Sequence, residues 1–131
     1  MKKACYYPSY YTQNNNEIFK MAKKYYDNGD WRAYYPYIMK KKLNDLNYDL
    51  STPDINPPIN SEFTIYATIP RDLREINKKK SVLLLTETEA INKRDWNVKL
   101  HKHFDYIFTY KKLNNPKYIE FYDCPFNFKK I

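Results

Sequence analysis

Glycine is almost absent from this chain, since Gly29 is the one glycine among 131 residues. The dinucleotide-binding fingerprint needs three closely spaced glycines, and the phosphate-binding P-loop needs two. Both devices are therefore excluded, and a Rossmann-like domain built from this sequence would not bind NAD or ATP through them. We predict no cofactor for this chain.

Long hydrophobic runs are missing as well. The longest is the segment 82–85, whereas a membrane-spanning helix needs about 18 apolar residues. Residues 1–8 begin with lysines, as signal peptides do, but lack the apolar stretch of about 7–15 residues that a signal peptide requires. We therefore predict a soluble, cytoplasmic domain with no membrane span.

Cysteine is scarce, and its positions give no metal or redox motif. Cys5 and Cys124 lie near the two ends of the chain, and neither belongs to a Cys-x-x-Cys pair. In a cytoplasmic protein two reduced, buried thiols are expected, although a disulfide between them is the alternative. His101 and His103 would face apart on a helix and have no third ligand nearby. We interpret them as a surface histidine and a helix-end histidine, and we predict no metal site.

The composition indicates one folded domain with a basic surface. Hydrophobic residues make up 43% and charged residues 29% of the chain, and the formal net charge is +8. The lysines come in short runs, at 40–42, 78–80, 111–112 and 129–130, which are typical of a solvated surface. Fifteen tyrosines accompany this charge, so a small basic nucleic-acid-binding protein is a weaker alternative.

Short apolar segments alternate with amphipathic ones along the chain. Strands are predicted at residues 3–7, 48–52, 63–69, 81–86, 106–109 and 118–122, and helices at 17–26, 34–46, 71–77 and 95–102. Asp95 is expected to cap the last of these helices, and Gly29 to end the first. The leucine run in the fourth strand predicts burial on both of its faces.

This alternation predicts an α/β fold. The expected architecture is a single Rossmann-like domain, with a mainly parallel sheet of five to six strands and helices on both faces. Ligands of such sheets bind beyond the carboxyl ends of the strands. The residues that follow each predicted strand are therefore the candidates for a functional site.

Glu87 is the main candidate among those residues, because it follows the leucine-rich strand. A carboxylate in that position is partly withdrawn from water, which suits a general base. The alternative is a glutamate that caps a helix or pairs with Arg71 or Lys111. Glu89 lies two residues further on, but two carboxylates alone are a weak metal signal.

The order of segments resembles a known family. The segments are NGDWRAYYPY (28–37), NYDLSTPDIN (47–56), FTIY (63–66) with IPR (69–71), LLLTETEAI (83–91) and FDYIFTY (104–110). This succession is similar to the N-terminal domain of glycosyltransferases related to the α-1,3-fucosyltransferases, in which a strand ends in a glutamate and a Phe-Asp strand follows about twenty residues later. The resemblance covers roughly residues 28–125.

The resemblance implies a function. Members of this family have two Rossmann-like domains that face a cleft, the glycosyltransferase-B arrangement. The N-terminal half binds the acceptor glycan and supplies the base glutamate, which Glu87 matches, while the C-terminal half binds the nucleotide-sugar donor, GDP-fucose. Glu89, Arg71 and Tyr110 are then candidate acceptor-binding residues at the rim.

Two departures from the family pattern modify that expectation. Glu89 stands near the glutamate where many relatives have a proline, and the chain ends at Ile131, about where a donor-binding domain would begin. We therefore expect residues 1–131 to form an acceptor-binding half that is inactive alone and works with a separate GDP-sugar-binding domain. A non-catalytic binding or structural module derived from the same fold is the first alternative.

Overall fold

The computed structural model describes residues 1–30, 33–86, 89–111 and 113–120. The strands are β1 (Lys2–Tyr7), β2 (Tyr48–Ser51), β3 (Thr64–Tyr66), β4 (Ser81–Leu85), β5 (Tyr106–Thr109) and β6 (Tyr118–Glu120). The α-helices of this part of the chain are α1 (Glu17–Asp27) and α2 (Tyr35–Asp45). Short 3-10 turns lie at Tyr11–Gln13, Pro58–Asn60, Leu73–Glu75 and His101–His103.

The six strands form one parallel sheet in the order β2-β1-β3-β4-β5-β6. This arrangement confirms the predicted α/β, Rossmann-like fold with a sheet of five to six strands. The chain leaves β1 toward β2 on one side and then crosses back to β3 on the other side of β1. The connections that follow β1 and β3 therefore diverge, which opens a crevice at their carboxyl ends.

Strand β4 lies in the middle of the sheet and is buried on both faces, as its leucines predicted. Leu83 and Leu85 pack with Phe104 and Ile107 on one face. Leu84 packs on the opposite face in a cluster that includes residues of β1, β2 and α1. Side chains alternate between the two faces of a strand, so one run of leucines contributes to two cores.

The two faces of the sheet are covered differently. Helices α1 and α2 both pack on the face that contains Leu84, through Phe19 of α1 and Met39 and Leu43 of α2. The other face is covered by irregular chain and 3-10 turns, which contribute Leu73 and Leu100. The prediction placed helices on both faces, whereas in the described part of the chain the second face is covered without an α-helix.

The boundaries of the first two helices follow local sequence signals. Pro36 occupies the first turn of α2, where its missing N–H costs nothing. Gly29 has a φ of 71° just beyond α1, and its N–H bonds to the carbonyl of Tyr26. The one glycine therefore ends a helix, as predicted, and takes no part in a phosphate-binding loop.

The other two predicted helices were wrong in extent or in kind. Residues 95–102 form turns followed by a 3-10 turn, because polar side chains bond to the backbone and compete with the helix. The Asn97 side-chain oxygen accepts the Lys99 N–H, and Asp95 bonds to a distant loop instead of capping a helix. Only Leu73–Glu75 of the predicted helix 71–77 is helical, as a 3-10 turn capped by Asp72.

Several predictions fall outside the described residues. They concern Glu87, Cys124 and the last two residues of the sixth predicted strand, Phe121 and Tyr122. Within the described ranges, none of the helices combines the length and the apolar character that crossing a bilayer would take.

Cys5 provides a first testable prediction. It lies in β1 between Ser51 of β2 and Thr64 of β3, and it is fully buried. Burial raises the pKa of its thiol to about 12, so that near pH 8 only about one molecule in 10,000 carries the reactive thiolate. We expect Cys5 to remain unmodified by iodoacetamide in the folded protein, as measured by mass spectrometry of the peptide that contains it. The same peptide from protein labelled in denaturant is the control, and rapid labelling under native conditions would contradict the buried position.

Candidate functional site

An open cleft of about 880 Å³ lies at the carboxyl edge of the sheet, beside the ends of β1 and β3. It occupies the crevice that the strand order creates, where ligands of open parallel sheets bind. Its lining residues come from the segments that follow β1, β2, β3 and β4. From the first two of these segments they are Tyr7, Pro8, Ser9, Tyr11, Asn14, Pro53, Pro58 and Ile59. From the last two they are Thr68, Ile69, Pro70, Arg71, Asp72, Arg74, Glu75, Asn92, Arg94 and Asp95.

One wall of the cleft is the loop that follows β1. Asn15 and Asn16 adopt left-handed backbone conformations, with φ of 57° and 58°. The Asn15 N–H donates to the Asp54 carboxylate at 3.0 Å, and the Asn16 N–H donates to the Thr52 hydroxyl at 3.0 Å. These bonds tie the loop to the end of β2 and so fix the wall.

The carboxylate of Asp54 is stabilised by this arrangement. Partial burial disfavours its charged form, but the Thr52 hydroxyl at 2.7 Å and the Asn15 N–H outweigh that effect and lower the pKa of Asp54 below its usual value. Tyr11 of this wall is open to a ligand, since it is 86% exposed. The side-chain oxygen of Asn14 is buried and has no hydrogen-bond partner among the described residues.

The opposite wall is the charged segment after β3. Asp72 and Arg74 form a two-pronged ion pair, with an Arg74 Nη2 to Asp72 Oδ2 distance of 2.9 Å, and Arg74 holds the pKa of the Asp72 carboxyl below its usual value. Glu75 accepts the Tyr7 hydroxyl at 2.6 Å. Arg71 forms no hydrogen bond or ion pair with the residues that the structure describes.

The floor of the cleft contains a buried carboxylate, Asp95, which is 6% exposed. It accepts hydrogen bonds from the Thr68 hydroxyl at 2.9 Å, the Ile69 N–H at 2.9 Å and the Asn92 side-chain amide at 2.8 Å. Burial raises the pKa of Asp95, although the hydrogen bonds from the Ile69 N–H and the Thr68 hydroxyl partly oppose the effect. Asp95 therefore joins the segment after β3 to the segment after β4.

Arg94 strengthens the same junction. Its Nη1 and Nη2 donate to the carbonyl oxygens of Ile69 at 2.6 Å and Pro70 at 2.8 Å. The backbone immediately before Arg71 is thus fastened by a guanidinium and by the Asp95 carboxylate. A fastened backbone limits the positions that the Arg71 side chain can reach.

The His101 side chain hydrogen-bonds to the backbone of Asp95. Its Nε2 lies 2.6 Å from the Asp95 carbonyl oxygen and its Nδ1 lies 2.8 Å from the Tyr118 hydroxyl. Because a carbonyl can only accept, Nε2 carries a proton and donates it to the Asp95 carbonyl oxygen. The interpretation of His101 as a surface histidine was wrong, since its side chain is 2% exposed and packs beneath the cleft.

A small pocket of about 80 Å³ adjoins the cleft at the ends of β1, β3 and β4. Hydroxyls of Ser9, Thr68 and Thr86 line it together with Asn92 and Asp95. This volume has room for a few water molecules or for one hydroxymethyl-sized group. The pocket therefore suits a small polar substituent of a ligand whose main body occupies the cleft.

Only one of the three residues predicted to contact the acceptor lies in the lining of the cleft. Arg71 lines the cleft, but Glu89 lies in an exposed turn after β4 and is not among the lining residues. Tyr110 follows β5 and packs edge-on against Trp96, with 5.6 Å between ring centroids. The proposed base, Glu87, lies outside the described residues.

Sequence reasoning missed Asp95, Arg94 and Asn14 as parts of the site. Asp95 was assigned to a helix cap, although a polar Asn92-Lys93-Arg94-Asp95 segment shortly after a buried central strand is itself a signal for a site. No group of three or more histidine, cysteine, aspartate or glutamate side chains among the described residues is placed to bind a metal ion. Comparison of the chain with protein-family models, with curated proteins and with solved structures finds no match.

Proposed function

We propose that this chain is the acceptor-binding half of a fucosyltransferase-like glycosyltransferase, and that the cleft binds the acceptor glycan. The observation that carries the proposal is the composition of the cleft at the β1/β3 crevice. It combines an exposed aromatic ring, that of Tyr11, with an exposed hydrogen-bond donor, the Arg71 guanidinium, and an exposed acceptor, the Glu75 carboxylate.

Carbohydrates need such a combination. Each sugar hydroxyl both donates and accepts hydrogen bonds, and the apolar face of a sugar ring packs on an aromatic side chain. A cleft of about 880 Å³ accommodates a short oligosaccharide. The small pocket beside the cleft fits one hydroxyl or hydroxymethyl substituent, which would orient the sugar relative to the sheet.

The catalytic part of the proposal rests on the resemblance in sequence. Glu87 would take the proton of the acceptor hydroxyl while the bond from the donor sugar to its nucleotide breaks, as in an inverting displacement. A separate domain would bind the GDP-sugar, because the cleft has no glycine-rich phosphate loop. Arg71 would contact the acceptor, with Glu89 and Tyr110 further along the same edge of the sheet.

Ligand-observed NMR on the isolated chain tests the binding step. We expect saturation transfer from the protein to short oligosaccharides and none to GDP-fucose. Replacing Tyr11 with alanine should weaken oligosaccharide binding about tenfold, because an aromatic anchor is lost. Tyr106→Ala is the matched control, since Tyr106 is an exposed tyrosine at the amino end of β5, on the opposite edge of the sheet. Binding of GDP-fucose, or of no ligand at all, would contradict the acceptor-binding proposal.

A non-catalytic glycan-binding module is the second candidate. It is favoured by two carboxylates of the cleft, because Arg74 lowers the pKa of Asp72 and Asp95 is buried, so neither is well placed to take a proton from a substrate. Glycan binding without sugar transfer, after a GDP-fucose-binding domain is supplied, would support this candidate over the enzyme.

A further inference from the structure

We propose that the glycan recognised in this cleft carries a carboxylate, and that Arg71 binds it. The inference rests on the proposed glycan-binding function and adds the chemical class of the ligand. It follows from the charges that line the cleft and from the groups that each of them already engages.

The acidic side chains of the cleft are occupied by protein donors. Asp72 is bound by Arg74 and Glu75 by the Tyr7 hydroxyl. Asp95 accepts from three groups on the floor of the cleft. Asp72 is thus paired with a cation and Asp95 is buried, which leaves Glu75 as the one exposed carboxylate of the described lining without a cationic partner.

The basic side chains differ from one another. Arg74 is neutralised by Asp72, and Arg94 is directed into the protein, toward two backbone carbonyls. Arg71 lines the cleft, is exposed and has no hydrogen-bond or ion-pair partner among the described residues, so its guanidinium can bind a ligand. A guanidinium in this position favours an anionic group over a neutral one.

The backbone before Arg71 is held in place by hydrogen bonds within the protein. Ile69 donates its N–H to Asp95, and the carbonyls of Ile69 and Pro70 accept from Arg94. The proline ring further restricts the chain at the residue before Arg71. The backbone before Arg71 is thus anchored, which reduces the backbone entropy lost on binding.

The opposite wall supplies the remaining contacts. Tyr11 is exposed and provides an apolar surface for a sugar ring. A ligand that bridges the two walls therefore places its anionic group at Arg71 and its sugar ring against Tyr11.

A carboxylate fits this site better than the phosphates of a nucleotide. Its two oxygens match the planar guanidinium in a two-pronged contact. Phosphate sites commonly use successive backbone N–H groups of a glycine-rich loop or a helix N-terminus, and the one glycine of this chain lies beyond α1, away from the cleft lining. An acidic sugar is therefore the class of ligand that we assign.

Three matched ligands test the inference by NMR titration of the isolated chain. They are sialyllactose, the methyl ester of its carboxylate, which removes only the charge, and lactose. We expect sialyllactose to bind about tenfold more tightly than the ester. In the Arg71→Gln variant this preference should disappear, whereas binding of the ester should change less than about twofold.

The Arg74→Gln variant separates the effect of Arg71 from that of positive charge in general. Arg74 lines the same cleft but is paired with Asp72 and 91% exposed, so we expect it to keep most of the preference for the acid. The amide spectra of both variants report that the fold is intact.

Each remaining outcome decides between the two proposals. Equal affinity for the acid and the ester would overturn the assignment of a carboxylate and leave glycan binding standing. Absence of binding by all three ligands would overturn both proposals. Displacement of sialyllactose by inorganic phosphate at a lower concentration than by acetate would overturn the choice of a carboxylate over a phosphate.

Discussion

Truncation of Leu84 to alanine is expected to lower the free energy of unfolding by about 3 kcal/mol. Leu84 is 2% exposed and lies in the central strand, where it packs with Tyr6, Phe19 and Leu50. Removing its side chain loses the transfer free energy of the buried atoms and leaves a cavity that β-strands on either side cannot fill by moving. Urea denaturation followed by circular dichroism measures the change.

Leu46→Ala is the matched control, because it makes the same chemical change at a residue that is 68% exposed at the C-terminal cap of α2. We expect the free energy of unfolding to change by no more than about 0.5 kcal/mol there. If the two variants lost similar amounts of unfolding free energy, burial in the centre of the sheet would not be the cause of the loss in Leu84→Ala.

The strands were predictable because their signals are local. Leu83, Leu84 and Leu85 form a continuous apolar run, which is typical of a strand covered on both faces, and the structure buries all three. The failure at residues 95–102 has a non-local cause besides the local bond of Asn97 to Lys99, because the carboxylate of Asp95 bonds to Thr68 and Ile69, which lie 27 and 26 residues earlier. No pattern within that segment indicates these partners.

The candidate site was predictable only in part. The rule that ligands bind at the carboxyl ends of parallel strands led to Arg71, which lines the cleft. The rule could not say which strand-end segments converge, since that depends on the order of the strands. β1 and β3 are neighbours, and for this reason Arg71 lines the same cleft as Tyr11 and Asn14, whereas Tyr110 follows the more distant strand β5.

Asp95→Asn is expected to lower the free energy of unfolding by about 2 kcal/mol near pH 7. The carboxylate accepts from Thr68, Ile69 and Asn92, whereas an asparagine side chain offers one oxygen and turns its NH₂ toward another donor. At least one buried donor then loses its acceptor. The same change should loosen the backbone before Arg71, so a weaker preference for sialyllactose over its ester is a second expected result.

The pH dependence of the stability lost in Asp95→Asn distinguishes the loss of a buried carboxyl group from a loss of side-chain packing. Because burial raises the pKa of Asp95 in the folded state, the folded protein binds this proton more tightly than the unfolded chain does. That contribution to stability is present below the unfolded pKa of about 3.9 and is lost as the pH rises through the folded pKa. The difference in stability between wild type and Asp95→Asn should therefore widen as the pH falls from neutral toward about 4, in urea titrations at several pH values.

Asp72→Asn provides a control of opposite sign. Arg74 lowers the pKa of Asp72, so the stability that Asp72 contributes is present above its unfolded pKa and is lost as the pH falls through the folded pKa. The difference in unfolding free energy between wild type and Asp72→Asn should narrow as the pH falls, while the difference between wild type and Asp95→Asn should widen. If both differences in unfolding free energy narrowed on acidification, the ionised form of Asp95 would be the stabilising one. The anchoring of the backbone before Arg71 would then be attributed to Arg94 alone.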